Sequence, residues 1–180
     1  MAYFNFSDRP TEQRIASIAS QFNLEINPNS INLYLEFQQV YREIEKRYDQ
    51  LLEKFDLTES RFAILMFLFY SADKQLLPSE IAEKLGVARP TASKLLKGMK
   101  TQGLVTIEMS PSDKRASIVG ITEKGIATLQ RFLPYNYQAV DRLFEEFTEE
   151  ERAQFYRLLH KLNSGKNKLQ LLEESLDGDN

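Results

Sequence analysis

Residues 77–103 read LPSEIAEKLGVARPTASKLLKGMKTQG, and their pattern predicts two helices joined by a tight turn. Residues 79–85 are predicted as a short helix, and Gly86 directly after them is typical of a residue that ends a helix. Residues 88–102 are predicted as a second helix, because apolar side chains recur at the i, i+3, i+4, i+7 spacing from Ala92 onward. The segment is therefore a helix-turn-helix unit.

The periodicity changes directly after this unit. Residues 104–109 and 116–121 alternate between polar and apolar or are rich in β-branched residues, which is typical of strands. The residues between them, Ser110 to Lys114, are turn formers. The order of short helix, glycine turn, second helix and hairpin is that of a winged helix-turn-helix. We predict a mostly α fold with one β-hairpin wing, an α+β class.

The segments on either side of this unit are predicted to be helical. Residues 30–55 carry an apolar stripe without a helix breaker, which predicts one rod of about 39 Å. A rod of that length needs a partner, which is either the rest of the chain or a second chain. Residues 62–70 are apolar nearly all round, which predicts a central buried helix. Residues 140–147 and 155–162 carry further helical stripes.

Composition excludes several classes of function. The 180 residues include no cysteine and one histidine, His160, so disulfides, thiolate zinc sites and histidine-rich metal sites are excluded. No glycine-rich phosphate loop and no nucleophile–base pair is visible, although a pair of carboxylates remains open. We predict that the protein is not an enzyme and has no cofactor and no metal.

Hydropathy predicts a protein that does not enter membranes. The longest apolar run, residues 63–70, is far shorter than the roughly 20 residues that span a bilayer. The first residues carry acidic and polar groups where a signal peptide needs a basic and then an apolar stretch. We therefore expect a soluble, cytoplasmic protein.

Charge is distributed unevenly along the chain. The net charge is −3, which by itself argues against a nucleic-acid partner. The segment from Lys84 to Arg115, however, contains seven basic and two acidic residues, a net charge of +5. The remainder contains 16 basic and 24 acidic residues, a net charge of −8. The winged helix-turn-helix therefore carries a concentrated basic face.

The basic residues occupy the positions that a DNA-binding wing and helix need. On the second helix, the side opposite the apolar stripe carries Arg89, Ser93, Lys97 and Lys100, with Lys94 on its flank. The hairpin tip carries Lys114 and Arg115. The segment between residues 71 and 131 contains none of the 20 aromatic residues, so bases have no ring to stack on. Double-stranded DNA is therefore the predicted partner, with the helix in the major groove.

Three segments resemble the MarR family of transcriptional regulators. They are LTESRFAIL at 57–65, LPSEIAEKLGVARPT at 77–91, and SDKR at 112–115 followed by GITEKG at 120–125. Their order and spacing match the family, and the likeness extends from about residue 30 to residue 162.

The resemblance implies a homodimer whose N- and C-terminal helices interlock. Residues 1–56 and 122–172 would form the helical dimerisation domain, and residues 57–121 the winged helix-turn-helix DNA-binding domain. An acidic tail, residues 173–180, is predicted to be disordered. The family also implies a transcriptional regulator, typically a repressor, that binds a palindromic operator. A small effector, often aromatic or anionic, would bind between the two domains and release the DNA.

The same resemblance implies roles for individual residues. The groove-reading positions would be Arg89, Thr91, Ser93 and Lys94. Arg115 would be the wing arginine, and Asp113 would orient it. Two positions depart from the family, because Leu77 and Ala88 stand where members usually have a serine or threonine at a helix start. Losing such a cap costs about 1 kcal/mol.

Two readings of the chain remain open alongside this one. An aromatic stripe, made of Tyr41, Tyr48, Phe67 and Tyr70, fits a core and dimer interface or the lining of an effector pocket. A winged helix can also serve as a protein-interaction module that never binds DNA. The lysine-rich face argues against that alternative, because the cores of protein interfaces are depleted in lysine.

Overall fold

The computed structural model of the protein describes residues 10–109 and 117–178. The helices are α1 (Glu12–Gln21), α2 (Pro28–Glu53), α3 (Glu59–Tyr70), α4 (Pro78–Leu85), α5 (Arg89–Thr101), α6 (Glu123–Leu143) and α7 (Glu149–Gly178). The strands are β1 (Gln75–Leu76), β2 (Val105–Met109) and β3 (Ser117–Ile121). This confirms the predicted α+β class. None of the helices in the described part of the chain is long and apolar enough to cross a membrane.

The chain divides between Phe132 and Leu133 into two compact units. The first contains α1 to α5, the sheet and the start of α6, and the second contains the rest of α6 and α7. The predicted dimerisation and DNA-binding domains are defined by their expected roles, whereas these two units are defined by how compactly the chain packs. The predicted division therefore stays a prediction.

Helix α3 lies at the centre of the first unit, as its all-round apolar sequence predicted. Ile64, Leu65 and Leu68 are fully buried, and the helix packs against α4, α5 and the sheet. Two edge-to-face aromatic pairs, which share the Phe132 ring, lie beside these residues. Phe132 is fully buried and meets Phe55 and Phe62 edge to face, with centroid distances of 5.2 and 4.9 Å. Such pairs add about 0.5–1.5 kcal/mol each to the burial of area.

The sheet has three antiparallel strands in the order β1-β3-β2. The hairpin is confirmed, with Val105 opposite Ile121 at its base and Met109 opposite Ser117 at its far end. Strand β1 adds a third strand that the sequence pattern did not predict, because two residues are too few to show a period. Its Gln75 lies opposite Gly120.

The turn between α4 and α5 depends on Gly86. This residue has φ +65°, in the left-handed region, and its N–H donates to the carbonyl of Glu83 at 3.0 Å. The next N–H, of Val87, donates to the carbonyl of Ala82, also at 3.0 Å. These bonds terminate α4 and redirect the chain into α5, as the sequence predicted.

We expect Gly86→Ala to destabilise the protein by about 1–2 kcal/mol, because an L side chain at this φ meets its own carbonyl. No other atom lies within 4 Å of the added Cβ, so the cost is one of backbone conformation alone. Gly86→Asn should cost less, since asparagine tolerates this region better. Urea unfolding of the two variants measures the difference, and an alanine variant as stable as the parent would contradict it.

Helix α7 differs from its prediction at its C-terminal end. Its start is capped by Thr148, whose hydroxyl accepts from the Glu151 N–H at 3.2 Å while the Glu151 carboxylate accepts from the Thr148 N–H at 2.9 Å. The helix then continues to Gly178, where the sequence predicted a disordered tail from residue 173. Residues 166–176 are mostly leucine, lysine, glutamine and glutamate, which are strong helix formers, so the acidic composition does not break the helix.

Candidate nucleic-acid interface

Helix α5 presents a row of polar and basic side chains to solvent. Its inner side is buried, with Ala92, Leu96 and Met99 no more than 1% exposed. The helix contains four basic residues and no acidic one. The predicted site residues that it exposes are Arg89, Thr91, Ser93, Lys94 and Lys97. All five are therefore accessible on the surface of α5.

Lys100 is exposed and lies on the same side of α5 as Arg89 and Ser93, as the sequence predicted. Its ammonium group reaches back to β2 and donates to the carbonyl of Ile107 at 3.4 Å. Lys100 thus attaches α5 to the hairpin.

The start of α5 lacks a side-chain cap. Ala88 holds the N-cap position, and its carbonyl accepts from the N–H groups of Thr91 and Ala92 at 2.9 and 3.2 Å. No side chain caps this helix start, and its second residue, Pro90, has no N–H to be capped. The positive end of the helix dipole coincides with the Arg89 guanidinium, a combination that favours an anion.

Helix α4 compensates for its own missing cap. Leu77 makes no side-chain cap bond, but its N–H donates to the carboxylate of Glu80 at 2.7 Å. This is half of a capping box, supplied by the third residue of the helix. Although Leu77 departs from the family pattern, the Glu80 carboxylate still satisfies one N–H at the start of this helix.

The tip of the wing lies outside the described residues. The strands are described as far as Met109 and Ser117, and the tip residues Asp113, Lys114 and Arg115 fall between them. The predicted minor-groove contacts of Lys114 and Arg115 and the orienting role of Asp113 therefore stay predictions.

The start of α6 is attached to the turn between α5 and β2, a connection that sequence reasoning missed. The Thr122 hydroxyl lies 2.7 Å from the carbonyl oxygen of Gly103, to which it donates, and it accepts from the Gly125 N–H at 3.0 Å. The ammonium group of Lys124 donates to the carbonyl of Gln102 at 2.7 Å. These bonds fix where α5 ends and where the hairpin begins. The only sequence signal was the GITEKG segment at 120–125, which contributed to the resemblance to the family but did not indicate these bonds.

The four residues of the predicted effector pocket fall into two groups. Tyr41 and Tyr48 on α2 lie close to Glu59 at the start of α3. The pKa of Tyr41 is raised mainly by the negative charge of Glu45, and to a lesser extent by partial burial and by the charge of Glu59. The pKa of Tyr48 is raised mainly by burial and to a lesser extent by the charge of Glu59. Both phenols therefore stay protonated at neutral pH.

The other two members lie towards the opposite end of α3. The Phe67 ring is covered by the Lys84 ammonium at 5.9 Å from its centroid. Tyr70, the last residue of α3, is 72% exposed and makes an edge contact with Phe69. Tyr70 lies eleven positions after Glu59, the first residue of α3. At a rise of 1.5 Å per residue, the two positions are about 16 Å apart along the helix axis. Nothing in this arrangement tests the predicted pocket.

An open cavity of about 650 Å³ lies in the second unit, between the end of α6 and the start of α7. Its walls are mostly apolar and include Phe144, Phe155 and Tyr156. Arg152 at its edge donates to the carbonyl of Phe144 at 2.8 Å. None of the four predicted effector residues lines it.

Comparison with known proteins agrees with the motifs quoted above. Residues 55–116 match the family model described as MarR family. The chain is 29% identical over 137 residues to the HTH-type transcriptional repressor YetL of Bacillus subtilis, which covers 76% of this chain and 82% of YetL.

Solved structures show the same fold. The MarR family transcriptional regulator AbsC of Streptomyces coelicolor matches with a TM-score of 0.69 at 21% identity, over 80% of this chain and 98% of AbsC. The MepR–DNA complex of Staphylococcus aureus matches with a TM-score of 0.64 at 26% identity, over 78% of this chain and 99% of MepR.

Proposed function

Because the chain belongs to the MarR family of winged-helix transcription regulators, whose members are not enzymes, we propose that it is a DNA-binding repressor. The observation that carries this proposal is the exposed surface of α5, which presents five polar and basic side chains and no acidic residue. The repressor function of YetL and the DNA complex of MepR support it.

In the proposed complex, α5 lies in the major groove. Arg89, Thr91 and Ser93 in its first turns meet base edges, and Lys94 and Lys97 meet phosphates. The wing brings Lys114 and Arg115 to the neighbouring minor groove. The positive end of the α5 dipole, beside Arg89, favours a phosphate at this end of the helix.

The protein acts as a homodimer in this proposal. In the first unit, large apolar residues of α2 and the apolar residue directly after α1 are exposed, including Phe22, Leu33 and Tyr34 at 64, 71 and 57%. In the second unit, Tyr137 and Leu158 are exposed to a similar degree, at 56 and 54%. Apolar surfaces of this extent usually mark an interface. Two recognition helices related by a two-fold axis read half-sites about 10 bp apart or a multiple of that, hence a palindrome.

A small-molecule effector releases the DNA in this proposal. The phenols of Tyr41 and Tyr48 are protonated and can donate to an acceptor group on an aromatic or anionic ligand. To release DNA, the effector must bind the DNA-free arrangement more tightly than the DNA-bound one. A screen for compounds that displace labelled operator, repeated with Tyr48→Phe, tests this part separately from DNA binding.

The two parts of the interface should respond differently to substitution. We expect Arg115→Ala to weaken binding to all duplexes alike and to make its salt dependence shallower, because a phosphate contact is lost. Arg89→Ala and Ser93→Ala should instead change which base pairs are preferred, because base-edge contacts carry sequence information.

Selection of bound duplexes from a random pool, followed by salt titrations on the selected palindrome and on random DNA, measures both effects. A footprint with a single unpaired half-site would contradict the symmetric dimer. If neither duplex is bound at any salt concentration, the proposed function is wrong.

A further inference from the structure

Helix α7 is exposed along nearly its whole length. Every described side chain from Glu149 to Leu176 is exposed, and only Gly165 is half-buried. Long helices in water depend on packing of an apolar face more than on intrinsic propensity. The helix therefore needs a partner surface.

An apolar stripe on α7 has the period of a coiled coil. Apolar residues alternate at spacings of three and four along the helix, with Gly165 at the one remaining position of the series. The stripe consists of Phe155, Leu158, Leu162, Leu169, Leu172 and Leu176, which are between 38 and 64% exposed. A mean period of 3.5 residues keeps such a stripe in contact with a second helix of the same period over several turns.

The last three leucines of this stripe follow the segment over which the sequence motifs resemble the family, which extends to about residue 162. We propose that residues 162–176 form a parallel two-stranded coiled coil with the same segment of a second copy of this chain. The proposal rests on the homodimer of the proposed function, whose interface it extends.

Charge beside the stripe favours the parallel over the antiparallel orientation, even though Lys161 lies beside the partner's Lys166 in a parallel pair. In a parallel pair, Lys168 lies beside the partner's Glu173, at the positions that flank a coiled-coil seam, and both are exposed. The antiparallel register centred on residue 167 would instead place Lys166 and Lys168 against the same lysines of the partner. A second copy is also the one occupant certain to carry an identical stripe, as a two-fold interface requires.

Cross-linking gives a direct test, because the chain contains no cysteine. We expect Leu172→Cys in the full-length protein to form an intermolecular disulfide on mild oxidation, since residue 172 faces its own counterpart in the parallel pair. Leu171→Cys is the matched control, because Leu171 is as exposed as Leu172 (65 against 58%) but points away from the seam. Equal cross-linking at both positions, or none at 172, would overturn the proposal.

A second measurement separates this proposal from the dimer itself. We expect Leu172→Asp to raise the dimer dissociation constant at least tenfold in sedimentation, and Leu171→Asp to change it less than twofold. A native dimer that Leu172→Asp leaves unchanged would overturn the coiled coil and leave the proposed function standing. A native chain that is monomeric at all concentrations would overturn both. Circular dichroism on each variant confirms that the winged helix remains folded.

Discussion

Replacing Lys94 and Lys97 by glutamate in the same chain should lower the affinity for duplex DNA at least about 100-fold at 0.1 M salt. Both side chains lie on the solvent face of α5 and not against its buried side. In the proposed dimer, the change turns four cations beside the phosphate backbone into four anions. The loss should affect operator and random DNA alike, and the salt dependence should become shallower because fewer counterions are released.

The control must change the net charge equally at another place. Lys46 and Lys54, also exposed, lie on and directly after α2, and Lys46→Glu with Lys54→Glu alters the total charge by the same amount. We expect this control to lower affinity less than about fivefold, since charges beyond a Debye length of about 10 Å are largely screened. Equal losses in both double variants would mean that global charge, and not the α5 face, governs binding.

The largest effect on stability is expected from Gly125→Ala, which should cost at least about 3 kcal/mol. A Cβ at this position would collide with the main-chain carbonyl oxygen of Leu104 and would lie 2.8 Å from Cγ1 of Ile121. The first contact is with backbone, so no rotamer change relieves it. The added methyl therefore has to push α6 away from the turn that Thr122 holds.

Gly98→Ala is the matched control for this substitution. Gly98 lies within α5, and nothing is found within 4 Å of its added Cβ. The same chemical change should stabilise the protein by about 0.5–1 kcal/mol, because alanine loses less backbone entropy in a helix. Urea unfolding of both variants gives the two free energies, and equal values of the same sign would refute the steric explanation.

Local patterns were sufficient to predict α4, α5 and the hairpin. The periodicity of apolar residues and the glycines that end helices define these elements within about a dozen residues. Residues close in sequence are therefore sufficient to predict them. The bond from Thr122 to Gly103 joins residues 19 positions apart, and no periodicity encodes such a contact. Strand β1 was missed for a similar reason, since its pairing with β3 and not its composition makes it a strand.

The candidate site was predictable where helix geometry alone decides exposure. The five exposed residues of α5 follow from the position of its buried stripe. Lys100 is exposed as predicted, but its bond to the β2 carbonyl of Ile107 could not be predicted, because the sequence does not place that oxygen. The aromatic stripe identified apolar faces on α2 and α3, but not that its members lie near opposite ends of α3.

The bonds that hold α5 in place have a consequence for how such a protein can diverge. Thr122, Lys124 and Lys100 all donate to main-chain oxygens, and a main-chain oxygen is present whichever side chain a residue carries. The exposed residues of α5 other than Lys100 can therefore vary without loss of these bonds. A duplicated copy of the gene can acquire a new operator through a few changes at positions 89, 91 and 93 while keeping its fold, and a designer can randomise the same positions to obtain regulators that do not interfere with one another.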